Sequence, residues 1–494
     1  MDEKFQGDLT ADQIGNDSNT NTAALLEGVY NSMGWPFTSG FQTYALSGIT
    51  TDEAIVPTRG ANWDDNGMWR TLHQHRWNAD HILVKETFNG LGGMVYAATD
   101  LLRFNPTPQQ QAEARFLRAF AMYWLLDLYD QAPYREPGDN VVQSAEVRKG
   151  IEALNYIVSE INAIAADLPD VPAGRANKDA AKVLLMKCYL NKGVYANRAN
   201  PAFSAEDMNT VIALADEIIN SGKYSFSPQY FDNFAPDNTN IGTENIFTRL
   251  NNTPNNLLFF TWLAVLHYSQ GGANGWATTD SFYQNFEPAD KRRGIAYDYP
   301  GGPPNPGRRV NVGFLVGQQY DWETDEPLKD GTGAPLIFTP DVKSIETGLN
   351  LELTGIRPLK YARDNVNPWS PDNDFVFFRF PDVLLMKAEA ILRGGTPTTA
   401  GSYGNTALSI VNAIRTDSSR NATHLNHLDL NNLLDERGRE LWWEGYRRND
   451  LIRFGKFLQP FQEKDYESAA KYLLFPIPNE QLAVNPNLVQ NAGY

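Results

Sequence analysis

The chain has 494 residues, of which 42% are hydrophobic and 20% charged, so it can bury a large core and lacks a composition typical of disorder. Asp and Glu number 59 against 42 Lys and Arg, and the net charge of −17 opposes binding to nucleic acid and to anionic lipid, so we expect no nucleic-acid partner. A single cysteine, Cys188, excludes an intramolecular disulfide and a cysteine-rich metal site, and its apolar surroundings predict a buried thiol.

Up to about residue 235, the chain is dominated by patterns typical of amphipathic α-helices. Capping residues precede runs in which large apolar residues recur every three or four positions, and Gly or Pro follows these runs. The pattern is strongest after Pro108, which suits a first helical turn. The predicted helices are NTAALLEGVYNSMG, TPQQQAEARFLRAFAMYWLLDLYDQAPY, GIEALNYIVSEINAIAADLP, NKDAAKVLLMKCYLNKGVYA and SAEDMNTVIALADEIINSGKY.

A short repeat indicates that these helices are paired. Val183–Lys187 and Val383–Lys387 both read VLLMK, and each lies in a helical pattern rich in small residues that ends near a glycine. In tetratricopeptide-type hairpins, alanine permits close approach of two helices and large apolar residues fill the space between them. We therefore expect paired helices of this type.

Between residues 236 and 374 the pattern changes to turn-forming residues. PDNTNIGTEN, LNNTPNN, QGGANGW, PGGPPNPG and KDGTGAP are typical of loops, and RRVNVGFLVG and LIFTP are candidate strands. Long loops in a compact protein are usually functional. Helical patterns resume at residue 375. The sequence predicts a mostly α fold in one domain, 1–494, where a helical scaffold (22–235 and 375–460) encloses a loop-rich lobe (236–374) with minor β structure.

The segment Arg59–Trp77, RGANWDDNGMWRTLHQHRW, contains three of the chain's 11 tryptophans and two of its six histidines. His73 and His75 are two residues apart and would point to different sides of a helix. The spacing of Trp69, His73 and Trp77 favours a helix, and the H-E-x-x-H zinc pattern is absent. We therefore expect structural histidines, no metal site and no cofactor, while a structural calcium ion in the acidic loops stays an open alternative.

Two groups of acidic residues raise the question of glycoside hydrolysis, which uses a pair of carboxylates. Asp64 and Asp65 lie in an Asn- and Gly-containing stretch typical of a turn. Glu436, Glu440 and Glu444 recur every four residues among arginines, which favours ion pairs along or between helices. The G-x-S-x-G, P-loop and Cys–His patterns are absent from the sequence. We therefore expect a protein that is not an enzyme.

Tryptophans that lie near amides and carboxylates in loops suggest a platform for sugars. Sugar rings place their flat C–H faces on Trp and Tyr, while Asn, Asp, Gln and Arg bond the hydroxyl groups. Trp63 lies in a Gly/Asn/Asp loop ahead of the helical stripe and is the strongest platform candidate, whereas Trp77 is expected in the core. Trp276, Trp322 and Trp369 also lie near Asn or Asp.

Five segments carry recognisable motifs in chain order. They are AEARFLRAFAMYWLLDLYDQAPY, RFPDVLLMKAEAI, VNAIR, ERGRELWWEGYRRNDLIRFGKF and LLFPIPNEQLAVNPNLVQNAGY. Together they resemble the motifs of the SusD-like (RagB/SusD) family, nutrient-binding outer-membrane lipoproteins of Gram-negative glycan-degrading bacteria. The departures are small, because Trp442–Trp443 replaces a smaller apolar pair and DQAPY lacks the common glycine.

The resemblance implies a fold of four tetratricopeptide-like helix pairs that support a loop-rich ligand-binding lobe. It implies glycan binding at the cell surface without catalysis, and delivery to a SusC-like TonB-dependent outer-membrane transporter that packs against the helical repeats. It also implies a lipidated N-terminal cysteine as the only membrane attachment. Since no such cysteine precedes Met1–Asp2, we expect the signal peptide and lipidated cysteine to belong to an exported precursor.

The same resemblance places PTRGANWDDNGMW and GWATTDSFYQNFEPADKRR beside the ligand. Within these segments we expect Trp63 to be the platform and Trp276 an opposing wall, with polar contacts from the residues around Trp63. The predicted ligand-binding residues are Arg59, Asn62, Trp63, Asp64, Asn66, Trp69 and Trp276. Two alternatives remain, a tetratricopeptide-type scaffold that binds a protein or peptide and, less favoured, a glycoside hydrolase.

Overall fold

The computed structural model describes residues 21–140, 142–251, 262–342, 351–368 and 370–494. Trp369 and residues 252–256 of the predicted LNNTPNN loop lie outside the described residues. The fold is mostly helical with small β-sheets, which confirms the predicted fold class. None of the helices in the described ranges is long and apolar enough to cross a membrane.

The α-helices are labelled α1 to α14 in chain order. They span Thr22–Ser32, Met68–His73, Ile82–Leu101, Pro108–Tyr129, Gly150–Ile164, Lys178–Ala196, Ala205–Asn220, Asn238–Ile241, Asp280–Tyr283, Phe380–Leu392, Ala407–Thr416, Leu430–Leu441, Arg447–Arg453 and Asn479–Val484. The long helices lie on both sides of residues 236–374, where the only described α-helices are the single turns α8 and α9.

Helix α4 shows how the sequence defines a helix end and a buried face. The Thr107 side chain accepts the N–H of Gln110, whose side chain accepts the N–H of Thr107, and Pro108 follows in the first turn. Nearly every residue from Ala112 to Tyr129 is buried, because α3 and α5 both pack against α4. Asp130, in the left-handed conformation, ends the helix.

The long helices pack as successive pairs, as the repeat predicts. Helix α3 packs on α4, α5 on α6, and α7 on α10. Helices α11 and α12 both pack against α10 and complete the stack. Since α7 ends at Asn220 and α10 begins at Phe380, the loop-rich lobe is inserted between the two helices of one pair.

The two VLLMK segments lie in α6 and α10, and their lysines connect neighbouring helices. The ammonium nitrogen of Lys187 lies 2.6 Å from a carboxylate oxygen of Asp382, which joins α6 to α10. That of Lys387 lies 2.6 Å from Asp216, which joins α10 to α7. Both lysines are buried, so each copy of the repeat contributes a buried lysine that forms an ion pair with a neighbouring helix.

The β-strands are short and are labelled β1 to β9. They span Gln131–Tyr134, Glu146–Lys149, Asn245–Arg249, Gly294–Ile295, Val312–Leu315, Gly317–Gln318, Ile337–Phe338, Arg357–Leu359 and Phe375–Arg379. The described sheets pair β1 with β2, β3 with β9, β6 with β7, and β4, β5 and β8 in that order, all antiparallel. The β3–β9 pair brings together the beginning and the end of the loop-rich lobe.

A buried cluster of charges connects the lobe to α12. Glu440 is fully buried and accepts hydrogen bonds of 3.0 Å or less from three arginines. These are Arg292, Arg379 and Arg420. Burial raises the pKa of a carboxyl group, but these three arginines outweigh it and lower the pKa of Glu440. In the same way, Arg292, Arg439 and Arg415 hold the pKa of the buried Glu436 at about 2. The predicted ion pairs of this motif are therefore confirmed.

Candidate functional site

Loops from three parts of the chain meet at one surface, and Arg59 holds them together. Its side chain is only 4% exposed. One guanidinium N–H donates to the carbonyl oxygen of Leu351 at 2.6 Å, and another donates to that of Gly275 at 3.3 Å. Its guanidinium is buried against main-chain oxygens, so Arg59 positions the loops around the site. Its predicted contact with ligand hydroxyls stays a prediction.

Trp63 lies at the junction of these loops with part of its ring reaching solvent. Its indole N–H donates to the carbonyl oxygen of Ala273 at 2.9 Å, and its ring is parallel to that of Phe41, with 6.4 Å between the ring centroids. Gly275 permits the close approach, since a Cβ there would lie 2.4 Å from the indole ring. The φ of +60° is rare for a bulky residue and costs about 1–3 kcal/mol, so these contacts must hold the ring in place.

Trp69 and Trp276 lie beneath Trp63 and have no face open to solvent. The ring centroids of Trp63 and Trp69 are 5.7 Å apart, as are those of Trp69 and Trp276. Both rings are covered and form the aromatic packing that supports Trp63. The predicted ligand contact of Trp69 and the predicted opposing wall at Trp276 stay predictions.

The polar residues of the loop, Asn62, Asp64 and Asn66, keep surface open to solvent. An Asp64 carboxylate oxygen accepts a hydrogen bond from Arg70, and the Asp64 side chain remains 44% exposed. Asn66 has a φ of +53°, which asparagine adopts more readily than most residues, and its side chain has no hydrogen bond with another described residue. All three can meet a ligand, and their contact with one stays a prediction.

Tyr268 is the aromatic residue of this surface that the sequence reasoning missed. It begins a single 3-10 turn, Tyr268–Gln270, and is 44% exposed. Its hydroxyl oxygen accepts a hydrogen bond from the Asn62 amide at 3.0 Å, so it lies beside the Trp63 loop. A signal for Tyr268 was available in the sequence HYSQGG of the loop-rich lobe, where two glycines follow the tyrosine closely. Trp276 was singled out on similar grounds, because it directly follows a glycine.

The histidines are structural, as predicted. His73, His75 and His81 are buried, and a ring nitrogen of each lies 3.0 Å or less from a main-chain carbonyl oxygen. Helix α2 ends at His73, so the predicted helical stripe does not reach Trp77, which is buried nevertheless. In the part of the chain that the structure describes, no group of three or more His, Cys, Asp or Glu side chains could hold a metal ion. Cys188 is a buried thiol, as predicted.

A comparison with protein-family models identifies the chain. The model of the SusD family matches residues 230–494, which is more than half of the sequence and includes α10 to α14. The chain belongs to the SusD family. The match covers the α12 motif whose glutamates form the buried charge cluster and the loop that carries Tyr268.

Relatives of this SusD-family chain extend the similarity to nearly its full length. The starch-binding protein SusD of Bacteroides thetaiotaomicron is 29% identical over 506 aligned positions, which cover 92% of this chain and 86% of that protein. Among solved structures, surface glycan-binding protein A from Bacteroides uniformis is 19% identical, with a TM-score of 0.71 and coverage of 95% of this chain and 99% of that one.

A second solved structure is surface glycan-binding protein A from Bacteroides thetaiotaomicron in complex with laminarihexaose. It is 18% identical and has a TM-score of 0.67, with coverage of 95% of this chain and 98% of that one. At these identities the two structural neighbours establish the fold of the SusD-family chain.

Proposed function

We propose that this protein binds oligo- or polysaccharides at the bacterial cell surface without cleaving them and passes them to a SusC-like TonB-dependent transporter. The observation that carries the proposal is the exposed ring of Tyr268, held beside Asn62 and the partly exposed ring of Trp63. Aromatic rings at a rigid surface suit the C–H faces of sugars, and the neighbouring amide suits their hydroxyl groups.

The geometry supports a binding surface that is formed before the ligand arrives. The Arg59 guanidinium ties two of the loops by donating to their main-chain oxygens, and Trp63 is fixed by Ala273 and Phe41. A rigid surface loses little conformational freedom on binding, so weak stacking contacts can contribute to affinity. The Tyr268 hydroxyl accepts from Asn62 and keeps its own hydrogen available for a sugar oxygen.

Binding without cleavage agrees with the state of the nearby carboxylates. Asp64 is paired with Arg70, and Asp65 accepts the indole N–H of Trp69 at 2.7 Å. Glycoside hydrolysis needs one carboxylic acid and one carboxylate on opposite sides of the bond, and the acid needs a raised pKa. Glu436 and Glu440 have lowered pKa values and are buried among arginines.

The names of the relatives support a glycan as the ligand. SusD of Bacteroides thetaiotaomicron is described as starch-binding, and a structural neighbour is described as a glycan-binding protein in complex with laminarihexaose. These descriptions point to the class of ligand for this chain and leave the sugar and linkage open.

Transfer to a transporter and attachment through a lipidated cysteine follow from the family resemblance. Trp35, which is 50% exposed, and Tyr96, which is 53% exposed, are large exposed side chains of the helical part that a protein partner can cover. If a transporter covers them, Trp35→Ala combined with Tyr96→Ala should weaken co-purification with a SusC-like protein and leave glycan affinity unchanged. An equal yield of complex would argue against this contact.

The test of the proposal is isothermal titration calorimetry against a panel of neutral, uronate-containing and sulfated glycans, with chromatography of each mixture after incubation. We expect saturable binding to at least one glycan and no shortened product. Release of shorter sugars would identify a hydrolase instead. No binding across the panel, together with measurable binding of a peptide, would favour the tetratricopeptide-type scaffold.

A further inference from the structure

A cleft of about 610 Å³ opens in the loop-rich lobe next to the proposed glycan surface. Gln270, two residues after Tyr268 in the same 3-10 turn, forms part of its wall. The volume falls within the roughly 300–1,000 Å³ of small-molecule sites. Aromatic rings, amides and three arginines line the cleft, so it offers stacking surfaces together with hydrogen-bond donors.

Two of the three arginines already face an acidic partner. The guanidinium of Arg309 lies 2.7 Å from Asp325 and 3.5 Å from the ring centroid of Tyr320. Arg308, which is largely exposed, lies 3.2 Å from Asp298. These charges are therefore matched by the protein itself.

The carboxylate of Asp321, which also lines the cleft, is bonded by its own turn. One of its oxygens accepts the main-chain N–H groups of Glu323 and Thr324 at 3.0 and 2.8 Å. Backbone donors of this kind stabilise the charged form and lower the pKa of Asp321, which therefore stays ionised and bonded within its own turn.

Arg293 differs from the other charged residues of the cleft. Its guanidinium lies over the ring of Tyr283, 4.2 Å from the centroid, and forms no hydrogen bond or ion pair with any residue in the described ranges. Its Nε is buried without a partner. The two terminal guanidinium nitrogens are not among the buried atoms, so they are the donors that a ligand in the cleft can reach.

We infer that this cleft binds an anionic sugar residue, one that carries a carboxylate or a sulfate, through Arg293. The inference rests on the proposed function, and it narrows the ligand class to glycans with charged units. A guanidinium recognises an oxyanion by two parallel hydrogen bonds, and the ring of Tyr283 holds it flat for that contact. Gln270 places the cleft directly beside the Tyr268 turn, so one chain of sugars can occupy both.

The negative charge of the whole protein makes the contact with Arg293 decisive for the binding of an anionic glycan. With a net charge of −17, the protein repels polyanions at long range, so a charged glycan gains affinity only by direct contact. An arginine without an acidic partner inside a ligand-sized cleft provides that contact. We therefore expect the protein to prefer a glycan that carries a charged unit in the cleft and stacks its other units on the aromatic rings outside it.

The experiment compares Arg293→Gln with Arg103→Gln in calorimetric titrations of the same glycan panel. Arg103 lies 5.7 Å from the Phe104 ring centroid and is paired with Asp100 in the helical part, so its substitution removes the same charge far from the cleft in sequence. We expect the tightest ligand of the unchanged protein to carry carboxylate or sulfate. Arg293→Gln should weaken that ligand about tenfold or more, and Arg103→Gln should change it less than twofold.

Matched ligands separate the two anion sources. Methyl esterification of an oligouronate removes its charge, and desulfation of a sulfated oligosaccharide does the same, so the arm in which the Arg293→Gln effect disappears identifies the group. Binding of neutral glycans alone, or an Arg293→Gln affinity equal to that of the unchanged protein, would overturn the inference and leave the proposed function intact. Absence of binding by every glycan would contradict the proposed function itself.

Discussion

The indole N–H of Trp63 donates a hydrogen bond to the carbonyl oxygen of Ala273, 2.9 Å away and 210 residues later in the chain. The bond joins the loop before α2 to the loop-rich lobe. Trp63 is therefore both a partly exposed aromatic ring and a structural connection between two loops. Its substitution must affect stability as well as any ligand contact, and the two effects have to be measured separately.

Trp63→Ala should lower the melting temperature by a few degrees. The change removes the stacking on Phe41, the packing on Trp69 and the bond to Ala273. Since the ring is only partly buried, we expect a loss of about 2 kcal/mol, less than the 3–5 kcal/mol typical of a buried tryptophan. Trp63→Phe keeps a ring beside Phe41 and should lose about half as much. Calorimetric melting measures both, and an unchanged transition for Trp63→Ala would show that the ring does not join the loops.

Glu440→Gln should destabilise the protein strongly without changing glycan affinity in the surviving folded fraction. The substitution leaves three buried arginines with less negative charge around them, and we expect a loss of about 3 kcal/mol in the free energy of unfolding. Urea unfolding measures the loss.

Glu326→Gln is the matched control, because Glu326 is exposed in the lobe, and it should stay within about 0.5 kcal/mol of the unchanged protein. A Glu440→Gln protein of full stability that has lost binding would mean that the cluster serves the ligand rather than the fold.

Acid should destabilise the protein in part through His75. Burial lowers the pKa of His75 from 6.5 to about 3. Between these values the unfolded chain binds a proton that the folded chain excludes. Stability from this group is therefore complete above about pH 6.5 and falls as the pH decreases towards 3, by up to about 1.4 kcal/mol per pH unit.

His75→Gln retains an amide donor for the Thr50 carbonyl oxygen, which lies 2.8 Å from the His75 ring, and does not titrate. Urea unfolding at several pH values between 7 and 4 should give a shallower decline for this variant than for the unchanged protein. His424→Gln, at an exposed position, should leave the slope unaltered. Equal slopes for the His75→Gln variant and the unchanged protein would show that His75 is protonated in the folded state.

The helices were predictable from the sequence because capping residues and a 3.6-residue period are local signals. Thr107 and Pro108 mark the start of α4 directly, and the VLLMK repeat indicates paired helices before any contact is known. Glu436, Glu440 and Glu444, which recur every four residues among arginines, likewise predict ion pairs. What the pattern could not supply is the partner, since Arg292 and Arg379 reach Glu440 from distant parts of the chain.

The site was harder to predict because burial in loops depends on tertiary contacts. Trp276 has the Gly- and Asn-rich neighbours of an exposed ring, yet Gly275 permits Trp63 to approach and Trp276 is covered. Arg59 also resembles a ligand contact in sequence, but the approach of Leu351 and Gly275 buries it. Tyr268 becomes recognisable only when its hydroxyl is seen beside Asn62.

The affinity of Tyr268→Ala for the best-bound glycan, measured by calorimetry beside Tyr96→Ala, tests the central claim most directly. Both tyrosines are about half exposed, but Tyr96 lies on α3 in the helical scaffold and not on the loops that form the proposed surface. The account predicts that Tyr268→Ala weakens binding about tenfold or more at an unchanged melting temperature, while Tyr96→Ala binds as the unchanged protein does. Full affinity in the Tyr268→Ala variant would contradict the claim that glycans bind on this ring.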